Sequence, residues 1–144
     1  MVIERTLRHV IFLARHLRGC DIRCVTTAVL LELGVPDKNA GFDYLENAII
    51  LFVEDPTRMF TKDIYPTVGK LYTPPARAYQ VERQIRTSIN EAWENRDEQI
   101  WGCYFHAERD GVIRRPTNAE FISRVARFVL MWQGCCKEVS RNGE

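Results

Sequence analysis

Residues 61–93, TKDIYPTVGKLYTPPARAYQVERQIRTSINEAW, constrain this chain more than any other stretch. Within them Val81, Ile85, Ile89, Ala92 and Trp93 recur at i, i+4, i+8, i+11 and i+12. Only a helix collects those positions on one side, and such a stripe needs a core to cover it. The opposite side carries Arg83, Arg86, Thr87 and Asn90, at i, i+3, i+4 and i+7. Upstream, a shorter helical pattern over 61–72 joins it through a turn stiffened by Pro74 and Pro75. Two closely linked helices, the second polar on its outer face, spell a helix-turn-helix. Arg and Asn suit guanine and adenine edges, and a helix fits the major groove. An ordinary solvated amphipathic helix shows the same periodicity, so the rest of the chain has to decide between the two.

Helical signals continue on both sides. Ile3, Leu7, Val10, Ile11, Ala14 and Leu17 have helical spacing over roughly residues 3–18, and Gly19 is placed to end that helix. Asp21 is a cap for a second helix running to Leu33, stopped by Gly34 and then Val35-Pro36. A third covers about 39–53. Thr61 can cap the next, whose Pro66 predicts a kink or a tight first turn. After the 81–93 helix come a sixth over about 98–105, weakened by Gly102, and a polar loop over 106–115. Thr117 and Glu120 form a capping box that opens a last helix running to Trp132. The expected fold is all-α: a compact bundle of six helices containing the helix-turn-helix over 20–134. An extra amphipathic helix over 1–19 precedes it, and a flexible tail over 135–144 follows.

A chain of 144 residues with 46% apolar content supports one domain with a sizeable core. The formal net charge is only +1, although phosphate neutralisation supplies much of a DNA reader's affinity. Charge placement therefore matters more than the total. Arg77, Arg83 and Arg86 cluster near the turn, Lys62 and Lys70 lie on the preceding helix, and Arg114 and Arg115 precede the last helix. Five cysteines without a CxxC pair point to a reduced cytoplasm rather than a disulfide scaffold. No apolar run reaches membrane-span length, and arginines interrupt the N-terminal apolar pattern, unlike a secretion signal.

Other chemistries fare worse. His9 and His16 lie two turns apart with no orienting carboxylate nearby in sequence, so they read as surface histidines, and His106 stands alone. With no P-loop, GxGxxG or HExxH, neither an enzyme nor a cofactor is expected. His16, Cys20 and Cys24 are spaced like helical ligands, but Gly19 interrupts them and a structural zinc site needs four. Small buried or terminal thiols are the better reading, and no metal is expected.

Five segments then occur in the order of a known family. LLELGVP (30–36), GFDYLENAI (41–49), TKDIYPTVGKLY (61–72), VERQIRTSINEAW (81–93) and PTNAEFI (116–122) resemble successive pieces of one domain. That domain is the C-terminal effector of the sporulation stage-zero master regulator family of endospore-forming bacteria. The resemblance implies an all-helical module that binds short duplex boxes of the TGTCGAA type. It also implies DNA contacts from Glu82, Arg83 and Arg86. The family regulator carries a receiver domain before this module, whereas some twenty-odd residues precede the match here, so a receiver-less copy is expected. Against the family's pattern the turn TPPARAY is longer by about two residues, with Tyr79 and Gln80 where small and basic residues are usual.

The resulting expectation is sequence-specific binding of double-stranded DNA by a transcription regulator, with a recognition helix over about 78–94. Arg83 and Arg86 are assigned to base edges, and Glu82 to a cytosine amine or to positioning an Arg. Gln80, Thr87 and Asn90 add base or phosphate contacts, and Lys70 and Arg77 phosphate contacts. The alternative is an interaction protein that pairs with a full-length regulator without reading a box. The N-terminal stripe either folds back on its own domain or pairs with a second copy, and a homodimer is the favoured expectation.

Overall fold

Helix ends decide much of how this chain is laid out. The computed structural model describes residues 2–107 and 109–141, with side chains over 5–107 and 109–138. Those residues form α1 (Val2–His16), α2 (Ile22–Glu32), α3 (Ala40–Glu54), a π-helical turn (Phe60–Ile64), α4 (Tyr65–Gly69), α5 (Ala78–Glu94), α6 (Glu98–Trp101) and α7 (Asn118–Arg141). No strand occurs among them, and the all-α bundle expected from the sequence is the fold.

Three of the expected caps form, but Thr61 does not cap its helix: it lies inside the π-helical turn, whose N-cap position is Met59. Asp21 accepts the Cys24 N–H at 2.8 Å and starts α2. Gly34 takes φ +84, which a residue with a Cβ adopts only under strain. That turn returns the N–H groups of Gly34 and Val35 to the carbonyls of Leu31 and Leu30, each at 3.0 Å. At α7 the hydroxyl of Thr117 accepts the Glu120 N–H at 3.1 Å, while the Glu120 carboxylate accepts the Thr117 N–H at 3.2 Å.

Pro66 acts as expected, but through a wider turn rather than a tight one. It has no N–H to offer the Lys62 carbonyl. The N–H of Ile64 instead reaches Met59 five residues back at 2.9 Å, and that of Tyr65 reaches Phe60. The break is absorbed as a π turn, and α4 then ends at Gly69, short of Tyr72.

α3 is the central element, packing against α2, α4, α5 and α7. Its Phe42, Leu45, Ala48, Ile49 and Val53 are buried. Trp101 is fully buried, and its indole N–H donates to the Leu33 carbonyl at 3.0 Å. α6 is shorter than the expected 98–105 helix, because beyond Trp101 the chain continues in tight turns that seat Tyr104 and Phe105 in the core.

Two outcomes differ from expectation at the chain's two ends, and a third bears on what covers the N-terminal stripe. α7 continues past Trp132 and Gly134 to Arg141, so helix occupies the flexible tail expected over 135–144 as far as that residue. The reason is packing: α7 lies along α1, and Cys135 and Cys136 rest against the core. The α1 stripe is likewise used internally. Val10, Leu13 and Ala14 are buried in that same core, while Leu7, Ile11 and Phe12 stay exposed. A second copy pairing through α1 therefore has only the exposed ridge to use. Finally, His9 is not a surface histidine. Its Nε2 lies 2.6 Å from the Glu32 carboxylate and 3.2 Å from the Tyr104 hydroxyl, which itself donates to Glu32 at 3.1 Å. Burial and the Glu32 charge push the Tyr104 phenol far above its ordinary range, so it stays protonated as that donor.

Candidate nucleic-acid interface

The rotation of α5 about its axis determines what it can present. Val81, Ile85, Ser88, Ile89 and Ala92 are buried, whereas Arg83, Arg86 and Thr87 are exposed and Glu82 and Asn90 half-buried. Trp93, at the end of the stripe, is half-buried, standing edge-on to Trp101 and beneath the Arg96 guanidinium. The stripe and the polar face expected from the sequence thus lie on opposite sides.

Two glycines set the height of this helix. At Gly41 in α3, an added Cβ would lie 2.0 Å from the Ser88 hydroxyl and 2.6 Å from the Gln84 carbonyl oxygen. The α3 backbone therefore lies against both a side chain and the backbone of α5, with no room for a methyl. At Gly69, ending α4, an added Cβ would lie 2.1 Å from the Ala76 carbonyl oxygen. The Gly69 carbonyl accepts the Ala76 N–H at 3.0 Å. This closes the turn between the two helices and holds Lys70 and Arg77, both exposed, on either side of it.

The polar side chains are not equally available. Gln80 uses its amide oxygen to accept the Arg77 backbone N–H at 2.8 Å, capping α5, which leaves its NH2 group for other contacts. Glu82 pairs with Arg86 at 3.0 Å, one turn on, and so orients that guanidinium. The Thr87 hydroxyl donates to the Arg83 carbonyl at 3.0 Å. The Arg83 guanidinium has no hydrogen-bond or ion-pair partner among the described residues.

Sequence spacing alone did not show how α7 joins this surface. The Asn118 amide in its first turn donates to the Glu82 carbonyl at 3.0 Å. Between the π turn, α5 and the start of α7 runs a groove of about 720 Å³, lined by Lys62, Arg86, Asn90 and Arg115 among others. Three cations separated by up to fifty-odd positions in sequence thereby share one concavity beside the exposed face of α5. Arg114 is bridged to Asp110.

Residues 26–129, most of the chain, match the family model described as sporulation initiation factor Spo0A C terminal. The matched span runs from α2 through most of α7 and contains the π turn, α4 and α5, while α1 lies before it. Its members are DNA-binding domains of transcription regulators, not an enzyme family. No described helix is long and apolar enough to cross a membrane. On the match, the helical fold and the exposed face of α5 together, the chain belongs to the sporulation initiation factor Spo0A C-terminal family.

Proposed function

We propose that this protein is a sequence-specific reader of duplex DNA that lays α5 in the major groove. The observation that carries the reading is the exposed Arg83–Arg86–Thr87 face of α5, set opposite a buried stripe in a family of DNA-binding domains. Arg83, without a competing partner, is the principal base-edge contact. Arg86, held by Glu82, is the second, because a pre-oriented guanidinium loses less freedom on forming a bidentate contact with guanine. Asn90, Thr87 and the free amide nitrogen of Gln80 extend the reading face. Lys70 and Arg77 at the turn, with Lys62 and Arg115 in the adjoining groove, take backbone phosphates.

The test is fluorescence anisotropy of labelled duplexes carrying a TGTCGAA-type box or its scramble, measured at several salt concentrations with random competitor. Preference for the box that persists as salt rises supports the reading. The logarithm of affinity should fall by roughly 0.9 per logarithm of salt for each phosphate neutralised. Equal affinity for box and scramble at every salt concentration overturns specific reading of that box. Selection from a random duplex library then distinguishes a different target sequence from none.

A further inference from the structure

The turn after α6, the extended segment before α7 and the first turns of α7 enclose a second basic cavity, of about 440 Å³. Arg114, Arg115, Arg124, Arg127 and His106 line it, and Glu120 is the acid among its lining residues. Among the described residues, the carboxylates of Glu120 and Asp110 already have partners. Glu120 caps α7 through the Thr117 N–H, and Asp110 is bridged to Arg114. Arg115, Arg124 and Arg127 have no carboxylate partner among the described residues. Arg124 and Arg127 are three positions apart on α7, so they share one side of that helix.

His106 strengthens the case by what it lacks. Its Nδ1 is sealed from solvent with no hydrogen-bond partner. Burial, followed by the charges of Arg124 and Arg127, holds its pKa below the usual imidazole range. The ring is therefore neutral near pH 7, and the cavity carries its charge on guanidinium groups. Like charges gathered around one concavity repel, and an anion seated among them removes that repulsion. Guanidinium forks match phosphoryl oxygens in geometry and charge.

We propose that this cavity binds a small phosphorylated ligand, with Arg115, Arg124 and Arg127 holding the phosphoryl oxygens and His106 forming part of the wall. A concave site of this volume lies in the range of small-molecule sites, whereas a duplex backbone presents its phosphates along a convex ridge. Arg115 also lines the groove beside α5. A bound anion thus draws one cation away from the side proposed to meet DNA. The site itself does not depend on the DNA-reading proposal.

Pyrophosphate is the probe, titrated into the full chain by calorimetry and by proton NMR of the three histidine rings. Saturable binding that shifts the His106 ring resonances, and weakens by about tenfold or more in Arg124→Gln/Arg127→Gln, is the expected result. Arg18→Gln, which removes an exposed arginine that does not line the cavity, should bind as the parent does. Far-UV circular dichroism checks that the double variant is folded, and Arg127→Gln alone, at an exposed position, provides the same comparison with less disturbance. No saturation at millimolar pyrophosphate, or equal binding by parent and folded variants, overturns the proposal. If the variants instead lose affinity for box and random duplex alike while pyrophosphate does not bind, the cluster is a DNA-backbone contact and the small-ligand site does not exist.

Discussion

Replacing Gly41 with Ala tests whether the close approach of α3 to α5 sets the position of the reading helix. In an open helix the change stabilises by roughly 0.5–1 kcal/mol, because glycine loses more freedom on folding. At Gly41 the new methyl meets the Ser88 hydroxyl at 2.0 Å and the Gln84 carbonyl oxygen at 2.6 Å. Ser88 can rotate, but the Gln84 oxygen belongs to the backbone of α5. Relief therefore requires the helices to separate until that contact nears the 3.4 Å at which ordinary packing begins. Overpacking of this kind costs about 1–3 kcal/mol, which set against the propensity gain leaves a net loss of about 0–2.5 kcal/mol. Gly134 is the control, since it lies within α7 with nothing inside 4 Å of an added Cβ. Urea unfolding should show Gly134→Ala stabilised and Gly41→Ala destabilised. Box affinity should fall for Gly41→Ala alone, because its α5 is displaced from beneath. Equal stabilisation by both substitutions would refute the reasoning, since α3 and α5 would then have room for a methyl.

Further outcomes follow from the same geometry. Arg83→Ala should cost about 1–3 kcal/mol of box binding while reducing random-duplex binding much less; equal losses on competing duplexes would make Arg83 a phosphate clamp. Ile89 is 1% exposed, so Ile89→Asp should remove several kcal/mol of the roughly 5–15 available and unfold the domain. Thr87→Asp, on the exposed side, should melt near the parent and bind DNA more weakly, and the reverse ranking by circular dichroism would mean that α5 is rotated. Val10→Asp should lower the melting temperature without changing the sedimentation of the folded protein, because Val10 is buried within the chain's own core. A parent dimer converted to an equally stable monomer would instead place that stripe between two copies.

How much of this was legible beforehand depended on the range of the interaction. Asp21, Gly34 and the Thr117–Glu120 pair act on backbone groups within a few residues, so their caps can be read from spacing. The stripe Val81–Ile85–Ile89–Ala92 specifies which side of α5 is apolar, and the Arg83–Arg86–Thr87 side then faces outward by geometry alone. Ordered matches to one family carried the rest of the helical layout and the DNA-binding assignment.

Periodicity says that a face must be covered, but not by what. The N-terminal stripe fits a partner copy and the chain's own α7 equally well in one dimension, and in the tertiary structure its Val10, Leu13 and Ala14 side packs into the chain's own core along α7. That contact also keeps residues 135–141 helical although no local signal demanded it. His9 sits 23 positions from Glu32 and 95 from Tyr104, too far apart for any spacing rule to join them. The same holds for Lys62, Arg86 and Arg115 in one groove and for Arg115, Arg124 and Arg127 in the next. Local hydrogen bonding and side-chain period are written along the chain, and they determined the helices and the outward face of α5. Burial and electrostatics act through space between distant residues, so only the folded structure decided where α1 lies and which charges share a cavity.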